Sequence, residues 1–259
     1  MAKIRRVDAV EACLEKIEAR EGELHAWAVV DPEFARRQAR ELESAPVRGP
    51  LHGIPVGVKD IFDTADLPTE YGSPIYKGHR PAADAACVAA ARAAGAIVLG
   101  KTATTEFATM VPAKTVHPRD PRRTPGGSSS GSAAAVAAGM VRFAYGTQTV
   151  GSIIRPAAYC GVVGYKPSYG LLSRSGMKMG AESLDTAGVI ARDVADAALL
   201  VSASAMRPDL GEVEGFENPR LGVCRSPTGR RPSARSSGRR LIAASSATSR
   251  ATACSAARA

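Results

Sequence analysis

A glycine-rich segment at residues 124–140, TPGGSSSGSAAAVAAGM, carries three consecutive serines, Ser128, Ser129 and Ser130. A serine hydroxyl can act as a nucleophile when a neighbouring base takes its proton. Serine also favours the start of a helix and glycine favours turns, so the same serines could simply begin the alanine-rich helix predicted for residues 133–138. The segment therefore indicates chemistry only if a base can be found for it.

Two known motifs fit this segment poorly. Gly126 and Gly131 have the glycine spacing of a phosphate-binding loop, but Ser132 stands where that loop requires lysine. Gly127, Ser129 and Gly131 match the G-x-S-x-G nucleophile elbow, which needs a histidine base later in the chain. All four histidines precede the segment. Both motifs are therefore disfavoured, and a nucleophilic serine here needs a different base.

Lysine is the alternative base. Lys59 ends the apolar segment IPVGVKD at 54–60, where burial would disfavour the charged ammonium, lower its pKa and leave an amine that accepts a proton. A lysine at a strand end ordinarily extends into solvent instead. Ser175 and Lys178 form a short S-x-x-K pattern, and Lys166 is a further candidate. The residues alone leave these alternatives open.

The candidate residues lie between alternating helix-like and strand-like segments. Apolar residues at helical spacing predict a helix through Val7, Val10, Leu14 and Ile17. Aspartates predict the starts of three further helices, at Asp31, at Asp84 with an end at Gly95, and at Asp193. Short apolar runs predict strands at 54–60, 96–99, 142–147, 161–166, 187–191 and 220–224. This alternation predicts a layered α/β domain with a largely buried sheet.

The composition indicates a globular protein. The chain has 259 residues and is 45% hydrophobic, which is enough to bury a substantial core. Its five cysteines form no C-x-x-C pair and no cluster with the scattered histidines, a pattern that suits a reducing compartment and argues against structural zinc. We find no signal-peptide pattern and no run that could span a bilayer. We therefore expect a cytoplasmic protein with no membrane attachment, no metal and no cofactor.

The charge distribution argues against a specific nucleic-acid site. The net charge is +9, but eight of the 34 basic residues are arginines within residues 225–259, which contain no acid. The remaining 26 bases nearly balance the 25 acids, and aromatic residues make up only 5% of the chain. A basic tail binds polyanions without specificity.

Four segments together resemble the amidase signature family, whose hydrolases use a Ser–cis-Ser–Lys triad. They are HGIPVGVKDIFDT at 52–64, GKTATTEFA at 100–108, the serine segment at 124–140 and GTQTVGSIIRPAAYCGVVGYKPSYG at 146–170. The resemblance covers about residues 1–224. It implies an α/β fold with a mixed central β-sheet flanked by helices, incomplete at the C-terminus, and an activity on a small-molecule amide.

By this resemblance, Lys59 is the base, Ser128 is the bridging serine and Ser152 is the nucleophile. The peptide bond between Gly127 and Ser128 is expected to be cis. Ser128 would relay a proton between Lys59 and Ser152, and Ser152 would form an acyl-enzyme. Ser129 and Ser130 would serve as helix caps and loop hydrogen-bond partners, and Ser132 would lie near the helix start.

The resemblance also implies an oxyanion hole in the loop that leads to Ser152. Backbone N–H groups there would stabilise the negative charge that develops on the amide oxygen. The residues concerned are Thr149, Val150, Gly151 and Ser152. The family usually has glycine where this chain has Val150, and a β-branched residue at positive φ would distort the loop or crowd the pocket. We therefore expect Val150 to impair this loop or to change its specificity.

Arg155 lies three residues after Ser152. Its surroundings resemble those in malonamidase-type members of the family, which implies that Arg155 pairs with a substrate carboxylate. The alternative is a buried structural ion pair, since a guanidinium binds a carboxylate of either origin equally well.

Three classes of function follow from the resemblance. The first is a small-amide amidohydrolase. The second is the amidase subunit of a tRNA-dependent amidotransferase, which needs partner subunits. The third is an inactive, truncated family member. For the intact family member the resemblance is also compatible with a homodimer.

Residues 225–259 differ in composition from residues 1–224, which we interpret as the amidase signature domain. They consist mainly of Arg, Ser and Ala, with no acids and no aromatic residues. Such a segment cannot bury enough surface to offset its ordering entropy. We expect a disordered tail of the kind that a shifted reading frame produces, and an incomplete domain that tends to aggregate.

Overall fold

Helices and strands alternate along residues 5–212, the part of the chain that our computed structural model describes. The helices are α1 Arg6–Leu24, α2 Pro32–Ser44, α3 Ala86–Ala93, α4 Ser130–Ala137, α5 Ile154–Cys160 and α6 Val194–Ala205. The strands are β1 Trp27–Val30, β2 Pro55–Lys59, β3 Ile97–Thr102, β4 Phe143–Gln148, β5 Val163–Tyr165 and β6 Thr186–Ala191. Short 3₁₀ helices lie at Pro74–Tyr76, Glu106–Ala108 and Pro208–Gly211.

The strands form one mixed sheet in the order β1-β3-β2-β4-β6-β5. The central strands β3, β2 and β4 are parallel, whereas β1, β6 and β5 pair with their neighbours in the antiparallel sense. This confirms the predicted α/β fold with a mixed central sheet. The parallel strands end at Thr102, Lys59 and Gln148, so these three residues lie along one carboxyl edge of the sheet.

Both faces of the sheet are buried. On one face, Val58, Tyr145 and Val189 pack in a cluster that extends to α3 and α6. On the other face, Leu99 and Ile190 pack in a cluster that includes apolar residues of α1, α2 and α4. Alternation along the strands sends successive side chains to opposite faces, and helices cover each of them. The sheet is therefore the rigid element that carries the candidate residues.

The helix starts were predicted with mixed success. Asp31 accepts a hydrogen bond from Phe34 N at 2.9 Å, and Asp193 accepts one from Asp196 N at 2.8 Å, as N-cap residues do. The prediction for Asp84 was wrong. The cap position of α3 is Ala85.

Asp84 is used elsewhere. Its carboxylate accepts from Ala65 N at 2.9 Å and pairs with Arg92 Nε at 2.9 Å, and these partners outcompete a cap.

Strand β1 was not predicted. The strand predicted at 220–224 and the tail at 225–259 lie outside the described residues.

None of the helices in residues 5–212 combines the length and the apolar composition needed to cross a membrane.

Candidate active site

Lys59 is the lysine that the fold brings to the serine segment. It is fully buried at the end of β2. Its Nζ atom lies 2.8 Å from Ser128 Oγ and 2.7 Å from Thr147 Oγ1. The alternative of a strand-end lysine that extends into solvent is therefore wrong for Lys59.

The other candidate lysines lie elsewhere. Lys166 donates to the carbonyl of its neighbour Pro167 at 2.7 Å. Lys178 donates to the Tyr76 hydroxyl at 3.3 Å and its Nζ lies 4.9 Å from the centroid of the Tyr71 ring. A lysine held in this way acts as a cation against aromatic faces.

Burial changes the acid–base behaviour of Lys59. Removal from water disfavours the ammonium and lowers the pKa of Lys59 to about 7, although the negative charge of Asp185 acts in the opposite direction. At neutral pH a large fraction of the side chain is therefore an uncharged amine, which can accept a proton.

The serine segment reaches Lys59 through a tightly enclosed turn. The Gly127–Ser128 peptide bond is cis. Ser128 is 2% exposed, and its carbonyl accepts from Thr105 N at 3.2 Å. A Cβ atom on Gly131 would lie 2.2 Å from the carbonyl oxygen of Ala26, so only glycine permits the helix to begin there. Backbone contacts on both sides thus fix where Ser128 points.

The neighbouring serines do not cap α4 with their side chains. Ser129 occupies the N-cap position without a side-chain capping bond. Its hydroxyl instead contacts the backbone of Thr147, from whose N it accepts at 3.3 Å. Ser130 donates to Thr115 Oγ1 at 3.4 Å, and Ser132 donates to Tyr145 O at 2.8 Å. The predicted side-chain caps at Ser129 and Ser130 are wrong, whereas the predicted hydrogen bonds of these two serines and the predicted position of Ser132 near the helix start are confirmed.

Ser152 lies beside the serine segment. Its carbonyl accepts from Ser129 N at 3.2 Å, which joins the loop after β4 to the residue that follows Ser128. The side-chain oxygen of Gln148 accepts from Ile153 N at 2.9 Å and from Ile154 N at 3.0 Å. The amide of Gln148 therefore holds the start of α5, immediately after Ser152.

The loop of residues 149–152 leaves backbone donors free. Within residues 5–212, the N–H groups of Val150, Gly151 and Ser152 donate to no protein acceptor. Val150 is 88% exposed and does not have positive φ. The positive φ that would make this valine distort the loop is therefore not present.

Arg155 contacts the serine segment rather than a carboxylate. Its Nε and Nη2 atoms donate to the carbonyl of Gly127 at 3.1 and 2.7 Å. The side chain is exposed, and no carboxylate of the described residues lies within ion-pair distance of it. The alternative of a buried structural ion pair is therefore wrong for this part of the chain.

A second buried lysine lies on the opposite face of the sheet. Lys101 Nζ is 3.2 Å from Asp60 Oδ1 and donates to Phe62 O at 2.8 Å. Lys101 and Asp60 are 0% and 1% exposed. The Asp60 carboxylate also accepts from the N–H groups of Glu70 and Gly72. This pair fixes the chain directly after Lys59, and no sequence pattern pointed to it.

Thr147, Gln148 and Asp185 were also missed. A weak signal existed, because GTQTVGS places Thr147 and Gln148 at the carboxyl end of a predicted strand, where ligands gather in α/β sheets. Together, the side chains of the site can move a proton from a serine to a buried amine. The free N–H groups nearby can stabilise a negative charge. This is the chemistry of nucleophilic acyl transfer.

The chain is similar to known proteins in both sequence and structure. The family model described as Amidase matches residues 8–213. In sequence, the chain is 48% identical over 204 residues to the A subunit of the glutamyl-tRNA(Gln) amidotransferase of Anaeromyxobacter sp. (strain K), covering 75% of this chain and 42% of that protein. The corresponding protein of Thermobifida fusca (strain YX) is 46% identical over 204 residues, covering 75% of this chain and 41% of that protein. The chain thus spans less than half the length of these relatives.

Solved structures of known proteins are also similar to this chain. The native peptide amidase from Stenotrophomonas maltophilia superimposes with a TM-score of 0.82 at 33% identity, covering 96% of this chain and 58% of that chain. The A subunit of the glutamyl-tRNA(Gln) amidotransferase from Thermotoga maritima superimposes with a TM-score of 0.67 at 39% identity, covering 76% of this chain and 43% of that chain.

Proposed function

Because this chain belongs to the amidase family, we propose that it is an amidohydrolase that cleaves the C–N bond of a small amide through an acyl-enzyme on Ser152. The observation that carries the proposal is the contact of the buried Lys59 Nζ with Ser128 Oγ at 2.8 Å. A lysine whose pKa is lowered to about 7 is a base suited to neutral pH. No metal or cofactor is required for this chemistry.

The proposed reaction begins with a proton relay. Neutral Lys59 accepts the proton of Ser128 as Ser128 accepts that of Ser152, and Ser152 Oγ forms a bond to the amide carbon. The tetrahedral intermediate then collapses, the C–N bond breaks, and the leaving nitrogen receives the proton back along the same relay. Water attacks the ester in a second passage of the relay, which releases the acid and restores the three side chains.

The free N–H groups of Val150, Gly151 and Ser152 support this mechanism. The carbonyl oxygen of the amide becomes an oxyanion in the tetrahedral intermediate, and backbone donors that are already oriented stabilise it without reorganisation. Each such donor contributes about 3 kcal/mol to transition-state stabilisation. Thr149, which precedes them, would complete the loop.

We further propose a preference for amides that carry a free carboxylate, as in the malonamidase-type enzymes. Arg155 supports this proposal because it is exposed beside the serine segment and has no carboxylate partner within residues 5–212. Its Nη1 atom donates to no acceptor in the same residues. A guanidinium with an unused donor can bind a substrate carboxylate.

A second function is the amidase subunit of a tRNA-dependent amidotransferase. It is favoured by the sequence relatives, because the A subunits of glutamyl-tRNA(Gln) amidotransferases are 43–48% identical to this chain. Such a protein would depend on partner subunits. Release of ammonia from free short amides by the isolated chain supports the amidohydrolase, whereas release only in the presence of partner subunits supports the second function.

The third alternative is an inactive family member. One experiment separates an enzyme from this alternative. A fluorophosphonate reacts with activated serines, and mass spectrometry of the full chain identifies the labelled residue. We expect labelling of Ser152 that is lost in Ser152→Ala and in Lys59→Ala.

Ser175→Ala is the matched control. Ser175 is an exposed serine in the alternative S-x-x-K pattern with Lys178, and its loss should leave labelling unchanged. Labelling that persists in Ser152→Ala, or that depends on Ser175, would reject the proposed triad. A wild-type chain that is folded but unlabelled would support the inactive alternative.

A further inference from the structure

Asp185 and Thr149 face each other one residue beyond the last pair of the β4–β6 ladder. That ladder ends with Gln148 opposite Thr186. Thr149 Oγ1 then donates a hydrogen bond to Asp185 Oδ1. The side-chain bond therefore continues the register of the two strands into the loop that leads to Ser152.

The other carboxylate oxygen of Asp185 anchors a closed turn. Oδ2 accepts from Gly180 N at 2.7 Å and from Ala181 N at 2.9 Å. The Ala181 carbonyl accepts in return from Asp185 N at 2.8 Å and from Leu184 N at 3.0 Å. Asp185 is 6% exposed. Its carboxylate is thus a nearly buried acceptor that joins a self-contained turn to Thr149.

The carboxylate of Asp185 is held in its charged form. Burial acts to raise the pKa, but hydrogen bonds from Ala181, Thr149 and Gly180 outweigh burial and keep the pKa below its ordinary value. Hydrogen bonds to a charged acceptor are shorter and stronger than those between neutral groups. The contact with Thr149 is therefore a firm one.

The loop that Asp185 holds has few other contacts. Thr149 and Val150 are exposed, and the N–H groups of residues 150–152 donate to no acceptor within residues 5–212. Building on the proposed function, we infer that Asp185 is a positioning residue for the reaction. It holds Thr149, and thereby the free N–H groups, at a fixed place relative to Ser152.

Asparagine at position 185 tests this role with little change in shape. The Asp185→Asn side chain loses the negative charge. Its oxygen can still accept from the N–H groups of Gly180 and Ala181, but its NH₂ group can only donate to the Thr149 hydroxyl, so a weaker neutral bond replaces the charge-assisted bond that Thr149 donates. Thr149→Val removes the contact altogether from the exposed side of the loop, where a fold defect is not expected. Both variants should therefore loosen the loop, and Thr149→Val should have the larger effect.

Hydrogen exchange reports how firmly the loop is held, and it requires no turnover. The amides of Ile153 and Ile154 donate to the Gln148 side chain, one residue before Thr149. We expect these two amides to exchange about tenfold faster in Thr149→Val, as the loss of one hydrogen bond predicts, and to be accelerated by a smaller factor in Asp185→Asn. Unchanged exchange in both variants would overturn the inference.

Fluorophosphonate labelling of Ser152 measures the effect on chemistry. We expect the maximal labelling rate to fall by about 10- to 100-fold in Thr149→Val, because a 1 Å misplacement costs about 100-fold, and to fall by a smaller factor in Asp185→Asn. The concentration for half-maximal rate should change less than twofold. Thr149→Ser, which keeps the hydroxyl, should label at least about tenfold faster than Thr149→Val. Full labelling rates in Asp185→Asn and Thr149→Val would overturn the inference.

Asp196→Asn is the matched control. Asp196 is also buried, at 2% exposed, and pairs with Arg142 and Arg192, which flank the end of the β4–β6 ladder opposite to the loop. Its loss should affect stability while the exchange of Ile153 and the labelling rate stay unchanged. A wild-type chain that is never labelled would reject the proposed function. The exchange data would still show whether Asp185 holds the loop.

Discussion

Lys59 donates to the Thr147 hydroxyl at 2.7 Å, across the carboxyl edge that β2 and β4 share. Both side chains are buried, at 0% and 5% exposed. A neutral amine has one lone pair, and the proposed relay needs that lone pair to face Ser128. Thr147 accepts an N–H of Lys59 and thereby turns the lone pair toward the serine. The threonine thus orients the base.

Removal of the Thr147 hydroxyl should slow the reaction. Valine has a similar size to threonine, so Thr147→Val removes only the acceptor of the Lys59 amine. The lost hydrogen bond corresponds to about 1.4 kcal/mol, or a factor of about ten in rate. We expect fluorophosphonate labelling of Ser152 to be about tenfold slower, and Thr147→Ser to be faster than Thr147→Val. If Thr147→Val is labelled as fast as the wild type, Thr147 does not orient Lys59.

The labelling rate should rise with pH through about 7. The base must be uncharged, and burial lowers the pKa of Lys59 to about 7, so the reactive fraction grows as the proton leaves. We expect the rate to increase about tenfold per pH unit below the midpoint and to level off above it. A rate that is constant from pH 5 to 9 would contradict a lysine base.

The negative charge of Asp185 acts on the same titration. It favours the ammonium form of Lys59, so Asp185→Asn should move the midpoint to lower pH. The charged groups on the other face of the sheet, Lys101 and Asp60, form a compensating pair and are unchanged in this variant. The midpoints are compared by measuring the labelling rate of both proteins over the same pH range. A midpoint that moves to higher pH would exclude this electrostatic contribution.

The sequence predicted the local parts of the site but not the contacts between distant segments. Lys59 and Ser128 belong to motifs in which residue type and spacing are informative, and the structure brings them together as expected. The contacts of Thr147 and Asp185 depend on which strands are neighbours and in what register, and no local pattern contains that information.

Competition between partners explains the wrong predictions. Asp84 has the residue type of a helix cap, yet Arg92 and the backbone of Ala65 bind its carboxylate. Ser129 stands at a cap position but its hydroxyl reaches the backbone of β4. In both cases a tertiary contact overrides a local preference, which a single sequence does not reveal.

Lys59 should also make the stability of the fold depend on pH. The unfolded chain keeps the lysine protonated up to its ordinary value of 10.5, whereas the folded chain releases the proton at about 7. The unfolded state therefore binds more protons between these values, and the free energy of unfolding rises with pH by up to about 1.4 kcal/mol per unit. Urea unfolding at pH 7, 8 and 9 should show this slope.

Lys59→Met isolates this contribution, since methionine fills similar space without a charge. The slope of the variant should be smaller than that of the wild type between pH 7 and 9 by up to about 1.4 kcal/mol per unit. Equal slopes in the two proteins would mean that Lys59 keeps its proton when buried.

The buried Lys101–Asp60 pair should matter more for folding than a surface pair. Lys101→Ala leaves the Asp60 carboxylate buried without its counter-charge, which costs about 3–5 kcal/mol. As a control, Arg36→Ala removes a partly exposed partner of Glu11, an ion pair that solvent screens, and should destabilise the fold much less. Urea unfolding of both variants tests the contrast. Similar losses in the two would show that the buried pair is not needed.

Arg155 should affect the acid-bearing substrate and the serine segment in separate ways. If the guanidinium binds a substrate carboxylate, Arg155→Leu should raise KM for a short amide with a free acid by at least about tenfold, and KM for the neutral isostere by less than twofold. The variant also loses the hydrogen bonds to the Gly127 carbonyl beside Ser128, so kcat should fall equally for both substrates. A common loss in kcat with no selective rise in KM would leave Arg155 as a support of the serine segment alone.

Arg122→Leu, which removes an arginine that is exposed and pairs with Asp120, should change neither constant. Selectivity for the acid that survives in Arg155→Leu would reject the proposed role of this arginine, because the carboxylate would then be bound without its guanidinium.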